Sequence, residues 1–206
     1  LFDFGSIQIT ALIINPFIVS GLGSILFGIW QMLTQMTGYA QIGDARATQV
    51  LKWSVARKRV TATNKELRSD VTTALLVTVI MLPIVLIAGS FITWYAPKIT
   101  GASPEYYKLI RGTCGLLILS LIINKFFDLF ESVLRGMNLV YKRMGFLVVI
   151  VIIGGGMKVA VVYLGYGLIG LSVVQIFIAL MTGVSFYYVV RKNVRWFGLE
   201  KTNLSK

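Results

Sequence analysis

Residues 71–95 read VTTALLVTVIMLPIVLIAGSFITWY and contain no charged side chain. A helix rises about 1.5 Å per residue, so this run is long enough to cross a hydrocarbon layer about 30 Å thick. Pro83 stands near its middle and predicts a kink. The stretch therefore predicts a transmembrane helix.

Similar apolar runs recur along the whole chain, which is 56% hydrophobic and 14% charged, with a mean hydropathy of +0.79. A water-soluble domain of this size needs more charge to cover its surface. One run alone is compatible with a signal peptide, but repeated runs are not. We predict an all-α polytopic membrane protein with transmembrane helices, here called spans 1 to 6, over residues 4–25, 27–49, 71–95, 112–134, 144–164 and 167–190.

The chain has no histidine and a single cysteine, Cys114. This excludes Ser–His and Cys–His catalysis, an intrachain disulfide and a histidine-based zinc site. We predict no catalytic residue, no metal site and no cofactor, so the protein is not expected to be an enzyme. The first residue is Leu1, close to span 1, and we expect the chain to be a segment of a longer protein.

Basic residues give the chain a net charge of +12, and they concentrate in alternate connections. The connections between spans 2 and 3 and between spans 4 and 5, and the C-terminal tail, hold most of them. Between spans 3 and 4 stand Lys98, Lys108 and Arg111, and between spans 5 and 6 there are none. By the positive-inside rule, the protein should lie in the cytoplasmic membrane with both termini on the cytoplasmic side. Anionic membrane lipids, not nucleic acid, are the partners that this pattern predicts.

Span 4 carries polar and charged residues within an arc of roughly 120°. They are Asn124, Lys125, Asp128, Glu131, Ser132 and Arg135. Ionisable groups at membrane depth must face protein or water. The stripe is therefore either the wall of a hydrated transport cavity or a set of structural ion pairs at helical spacing, Lys125 with Asp128 and Glu131 with Arg135.

Spans 2 and 5 carry further polar groups. One half of the helical wheel of span 2 holds Gln31, Thr34, Gln35, Gly38, Gln41, Ala45 and Thr48. Such a row suits contact with water or sugar hydroxyls, or hydrogen bonds between packed helices. In span 5, residues 154–156 are glycines that allow close helix packing, and Lys158 follows them. Lys158 either extends to the outer interface or faces an anionic substrate.

Several short motifs occur in a familiar order. Gly28-Ile29-Trp30 and Gly38-Tyr39 are followed by residues 134–138, LRGMN, and residues 164–170, LGYGLIG. This series resembles the polysaccharide-biosynthesis flippases, which belong to the superfamily of multidrug, oligosaccharidyl-lipid and polysaccharide exporters. The resemblance covers nearly the whole chain.

The resemblance implies a transporter of 12 or 14 helices in two six-helix lobes, of which this chain is the N-terminal one. Its substrate would be an undecaprenyl-pyrophosphate-linked glycan, moved by alternating access. Lys125, Arg135 and Lys158 would then meet the pyrophosphate. The amides of span 2 and Asn124 would meet the sugar, and Asp128 and Glu131 would bind a coupling proton or sodium ion. In span 2 these amides are Gln31, Gln35 and Gln41.

Other functions stay open. A multidrug or peptidoglycan-precursor exporter of the same superfamily would share this topology. A membrane-embedded enzyme of polysaccharide synthesis would normally need a larger extramembrane loop. A scaffold without transport activity would not need the charged stripe of span 4.

Overall fold

The structure is a computed structural model that describes residues 2–40 and 47–199, and within these ranges it contains helices and no strand. The predicted all-α class is confirmed. Seven α-helices follow one another: α1 (Phe2–Leu22), α2 (Ser24–Tyr39), α3 (Ala47–Lys58), α4 (Asn64–Ile99), α5 (Tyr107–Gly136), α6 (Tyr141–Tyr163) and α7 (Gly167–Asn193). A short 3-10 helix, Pro104–Tyr106, leads directly into α5.

Among the described residues, four helices are long and apolar enough to cross a membrane: α4, α5 with the 3-10 turn before it, α6 and α7. They correspond to predicted spans 3 to 6. Their outward faces are strongly apolar, and along α4 the side chains of Ile80 and Ile87 are 64% and 71% exposed. Water-soluble proteins rarely expose a continuous apolar surface of this kind. The exterior is that of a membrane protein.

Spans 1 and 2 differ more from expectation. Over Gln8–Leu22, the part of α1 whose side chains are described, the helix is apolar. Span 2 was predicted as one helix over residues 27–49, but α2 ends at Tyr39 and a separate helix, α3, begins at Ala47. Ala40 follows α2 and is buried, whereas Gln41 and the other residues up to 46 lie outside the described residues. The polar row of span 2 keeps a 3.6-residue period over its whole length, so its pattern predicts a single helix.

The inner face of α3 packs on two other helices. Leu51 and Val55 are buried, and Val55 lies against Gly136 at the end of α5. On the other side, an ion pair of 2.9 Å joins Lys58 Nζ to Asp70 Oδ2 in α4. α3 therefore runs beside the last turns of α5 and the first turns of α4.

One end of the bundle gathers most of the described basic residues, and we call it the basic end. Here the end of α3, the start of α4, the end of α5, the start of α6 and the end of α7 meet. Arg68 Nε donates a 2.7 Å hydrogen bond to the backbone oxygen of Trp196, and Lys142 Nζ donates to Asn193 Oδ1. A core that includes Leu129, Val133 and Val190 fills the space beneath these contacts.

Candidate functional site

Three apolar side chains fix the orientation of α2. Trp30, Leu33 and Met36 are buried in a core shared with α4, α5 and α7. Gln31 and Thr34 lie beside this buried face of α2 and are themselves half-buried. The Thr34 hydroxyl donates to the backbone oxygen of Gln31 at 2.8 Å, which satisfies its donor within the helix.

The polar stripe of α5 lies opposite. Asn124 Nδ2 donates a 3.0 Å hydrogen bond to the backbone oxygen of Ser120, one turn earlier. Ser120 Oγ in turn donates to the backbone oxygen of Gln175 in α7 at 3.3 Å. The second bond joins α5 to α7 at Ser120, one turn before Asn124.

Between these helices lies a cavity of about 390 Å³, here called the central cavity. Its lining comes from α2, α5, α6 and α7: Trp30, Gln31, Thr34, Thr37, Leu117, Ser120, Leu121, Asn124, Lys125, Asp128, Lys158 and Gln175. The ionisable groups in this lining are two lysines and one aspartate. The cavity is thus polar, and its lining has an excess of positive charge.

A second cavity of about 190 Å³ lies nearer the basic end. Its lining comes from α3 and α5: Thr48, Gln49, Lys52, Asp128, Glu131, Ser132 and Arg135. We call it the basic-end cavity. Asp128 lines both cavities, so its side chain lies at the boundary between them.

Glu131 lies between two arginines. Its Oε1 accepts from Arg135 at 2.6 Å and from Arg143 of α6 at 2.8 Å. The Arg143 side chain is buried, and its guanidinium carbon lies 4.7 Å from the centre of the Phe186 ring. This arrangement ties α5, α6 and α7 together, and it corresponds to the structural interpretation of the Glu131–Arg135 pair.

The central cavity brings together five of the predicted site residues: Gln31, Asn124, Lys125, Asp128 and Lys158. Glu131 and Arg135 lie in the basic-end cavity instead. Gln35 is exposed and lines neither cavity. Gln41 lies outside the described residues. Lys158 lines the central cavity, and its contact with an anionic substrate stays a prediction.

Some residues of the site were not predicted. Gln175 and Ser120 line the central cavity, and Arg143 completes the contacts of Glu131. Gln175 is an isolated amide in an apolar run. A polar residue within a membrane span is a sequence signal for a functional site, and this signal could have identified Gln175. Arg143 stands among the basic residues of a connection, and its sequence gives no sign that it is buried.

Comparison with protein family models, curated proteins and solved structures found no match. What the central cavity can bind therefore follows from its own chemistry. Ammonium groups bind phosphate oxygens, while amides and hydroxyls both donate to and accept from sugar hydroxyls. The lining of the cavity contains all of these groups.

Proposed function

We propose that this chain is one lobe of a membrane transporter that moves a lipid-linked oligosaccharide or polysaccharide precursor across the cytoplasmic membrane. The observation that carries the proposal is the convergence of Lys125 and Lys158, from different helices, on one polar cavity inside an apolar bundle. Placing two ammonium groups at membrane depth costs free energy, and functional sites are the usual reason for such a cost.

The lining of the cavity suits an anionic, hydroxyl-rich head group. Lys125 and Lys158 bind the pyrophosphate, and Gln31 and Asn124 exchange hydrogen bonds with the sugar. Asp128 is the candidate for the coupling proton or sodium ion, since it lies where the two cavities meet. Arg135 has a different role in this scheme: it receives the head group in the basic-end cavity, with Glu131 held between two arginines.

The topology of the proposal has six spans. α1 is the first span, and α2 together with α3 accounts for the second. The basic end faces the cytoplasm, as the positive-inside rule favours. A cavity of about 390 Å³ accommodates only part of a lipid-linked glycan, so a second six-helix lobe supplies the opposite wall.

A peptidoglycan-precursor exporter is the nearest alternative, because its substrate also carries a pyrophosphate. An exporter of cationic drugs fits less well, since the lining has two lysines and one aspartate. Binding of a pyrophosphate lipid would favour an exporter of a pyrophosphate-linked substrate, whereas binding of a lipophilic cation would favour a drug exporter.

The test is the affinity of the detergent-purified chain for undecaprenyl pyrophosphate. Lys125→Gln and Lys158→Gln should each weaken binding by about tenfold, since each removes a charge-assisted contact of about 1.5 kcal/mol or more. Lys65→Gln is the matched control, because Lys65 is exposed in the first turn of α4 and lines neither cavity. Equal affinities in all three variants, or preferential binding of the lipophilic cation, would contradict the proposal.

A further inference from the structure

The basic residues at the end opposite the basic end stand where the positive-inside rule disfavours them. They are Lys98 in the last turn of α4 and Lys108 and Arg111 in the first turns of α5. The positive-inside rule explains the basic residues at the basic end, but it does not explain these three. Their neighbours suggest another reason for their position.

Two of these cations lie against aromatic rings of α4. The guanidinium carbon of Arg111 is 4.2 Å from the centre of the Trp94 ring, a close cation–π contact. Lys98 Nζ lies 5.9 Å from the centre of the Tyr95 ring. Trp94 is nevertheless 62% exposed, so its ring lies at the surface of the bundle. Tryptophan and tyrosine in this position are typical of the membrane–water interface.

Within the described residues, the acidic residue nearest to these cations in the sequence is Glu105, an exposed residue of the 3-10 helix three positions before Lys108. Within residues 2–40 and 47–199, no ion pair involves Lys98, Lys108 or Arg111. The buried Nε of Arg111 also has no hydrogen-bond acceptor in this part of the chain. Lys108 is exposed and one helical turn from Arg111. The three cations, with Glu105 as the one described carboxylate beside them in the sequence, thus leave this end of the bundle with an excess of positive charge that no described ion pair takes up.

An apolar strip leads away from this group along α4. Ile80, Ile84, Ile87 and Phe91 are exposed and follow one another at spacings of three or four residues. Trp94 and Lys98 continue the same series, so all six side chains lie along one face of the helix. The apolar strip on this face of α4 ends where the cations begin. A basic group followed by an apolar strip matches the shape of a lipid with a phosphate head group.

We propose that this face of α4 and the start of α5 bind a phosphate-bearing membrane lipid. Arg111, Lys108 and Lys98 bind its phosphate at the interface, and its acyl chain lies along Phe91 and the isoleucines. The site is on the outside of the bundle and separate from the central cavity. The inference therefore stands whether or not the chain transports a glycan.

Tryptophan fluorescence gives a local test of this site. Trp30 and Trp196 are buried, whereas Trp53 and Trp94 are exposed. In a Trp53→Phe background, quenching by lipids with brominated acyl chains therefore reports mainly on the lipid beside Trp94. The chain is reconstituted in phosphatidylcholine vesicles that contain increasing fractions of brominated phosphatidylglycerol, and brominated phosphatidylcholine gives the reference.

We expect phosphatidylglycerol to be preferred by up to about 100-fold beside Trp94, since each of the three basic residues contributes about 1 kcal/mol to such binding. Lys108→Gln should reduce the preference by about fivefold. Because Lys108 is exposed and has no described contact with a side chain, this variant leaves the fold intact. Arg111→Gln should reduce the preference at least as much. Lys65→Gln, at the basic end, is the matched control and should leave it unchanged.

Three results would overturn the proposal. The first is quenching by phosphatidylglycerol no stronger than by phosphatidylcholine. The second is an unchanged preference in both Lys108→Gln and Arg111→Gln. The third is loss of the preference on adding millimolar inorganic phosphate at constant ionic strength, which would assign the cations to a free anion. Loss of pyrophosphate-lipid binding in the central cavity, by contrast, would leave this result unaffected.

Discussion

Glu131 accepts hydrogen bonds from two arginines that differ in exposure. The Arg143 side chain is 6% exposed, whereas that of Arg135 is 50% exposed. Water screens the contact of Arg135 and competes for it, but hardly reaches Arg143. Arg143 also lies against the Phe186 ring. Arg143 should therefore contribute more to stability than Arg135, although Arg135 has the shorter distance to Glu131.

Arg143→Gln should lower the free energy of unfolding by about 2–3 kcal/mol, because it removes a buried hydrogen bond to a charged group. Arg135→Gln should lower it by less than about 1 kcal/mol, as is usual for an exposed ion pair. Unfolding of the purified chain with increasing denaturing detergent measures both. Equal losses in the two variants would mean that burial does not distinguish the arginines.

The outcome for individual residues shows what the sequence can predict. The polar face of α5 was predicted from its spacing alone, because residues three and four apart share a face in any straight helix. On α2 the same reasoning selected both Gln31 and Gln35, but only Gln31 lines the central cavity. The packing of Trp30, Leu33 and Met36 decides the rotation of this helix, and these contacts come from residues distant in the sequence.

At the scale of the elements, glycines set how closely α5 approaches its neighbours. A methyl group built on Gly183 of α7 would overlap the ring of Phe127 in α5. One built on Gly136 would lie 2.7 Å from Val55 Cβ and 2.9 Å from the backbone oxygen of Lys52. A rigid ring and a backbone oxygen cannot move aside without shifting a helix.

Gly183→Ala and Gly136→Ala should each lower the free energy of unfolding by about 1–3 kcal/mol through overpacking. Gly115→Ala is the control on α5, where a methyl group meets no atom within 4 Å. It should raise stability by about 0.5–1 kcal/mol, since alanine favours the helix. The same unfolding assay serves for all three. A stable Gly183→Ala variant would contradict the close packing of α5 on α7.

The helices themselves were predicted with unequal success. Spans 3 to 6 follow from hydropathy, because length and apolar composition alone decide whether a helix can cross a membrane. The end of α2 at Tyr39 and the start of α3 at Ala47 were missed. Periodicity does not show where one helix ends and the next begins when the polar positions keep the same spacing in both.

For the whole molecule, the basic end predicts the orientation in the membrane. In a Cys114→Ser background, single cysteines at Arg57 and Lys142 should be protected from an impermeant thiol reagent in intact cells. A cysteine at Ser103, at the other end, should react. The reason is the excess of basic residues at the end that holds Arg57 and Lys142. Reaction at Arg57 from outside, with protection at Ser103, would reverse the proposed orientation.

The sequence did not predict which helices meet at the central cavity. Hydropathy identifies apolar helices and periodicity identifies their polar faces, but neither says which faces meet. Lys158 of α6 and Gln175 of α7 join Lys125 of α5 in one cavity because of packing across the whole bundle. Close contacts of Gly155 with α1 and of Gly154 with α7 place α6 between these helices, which the sequence did not predict.

The central claim is that a hydrated cavity inside the bundle receives a pyrophosphate lipid, and cysteine accessibility tests it directly. In the Cys114→Ser background, Asn124→Cys places a thiol in the cavity, and Ile87→Cys places one on the lipid-facing surface of α4. The measurement is the rate of alkylation by a water-soluble reagent in reconstituted vesicles, with and without undecaprenyl pyrophosphate. Because thiols react as thiolates, only a hydrated site should react quickly.

We predict rapid alkylation at residue 124, at least about tenfold slower alkylation at residue 87, and protection of residue 124 by undecaprenyl pyrophosphate. The uncharged polyprenol of the same length should not protect it. Alkylation at residue 124 as slow as at residue 87, or reaction there that undecaprenyl pyrophosphate does not slow, would contradict the account.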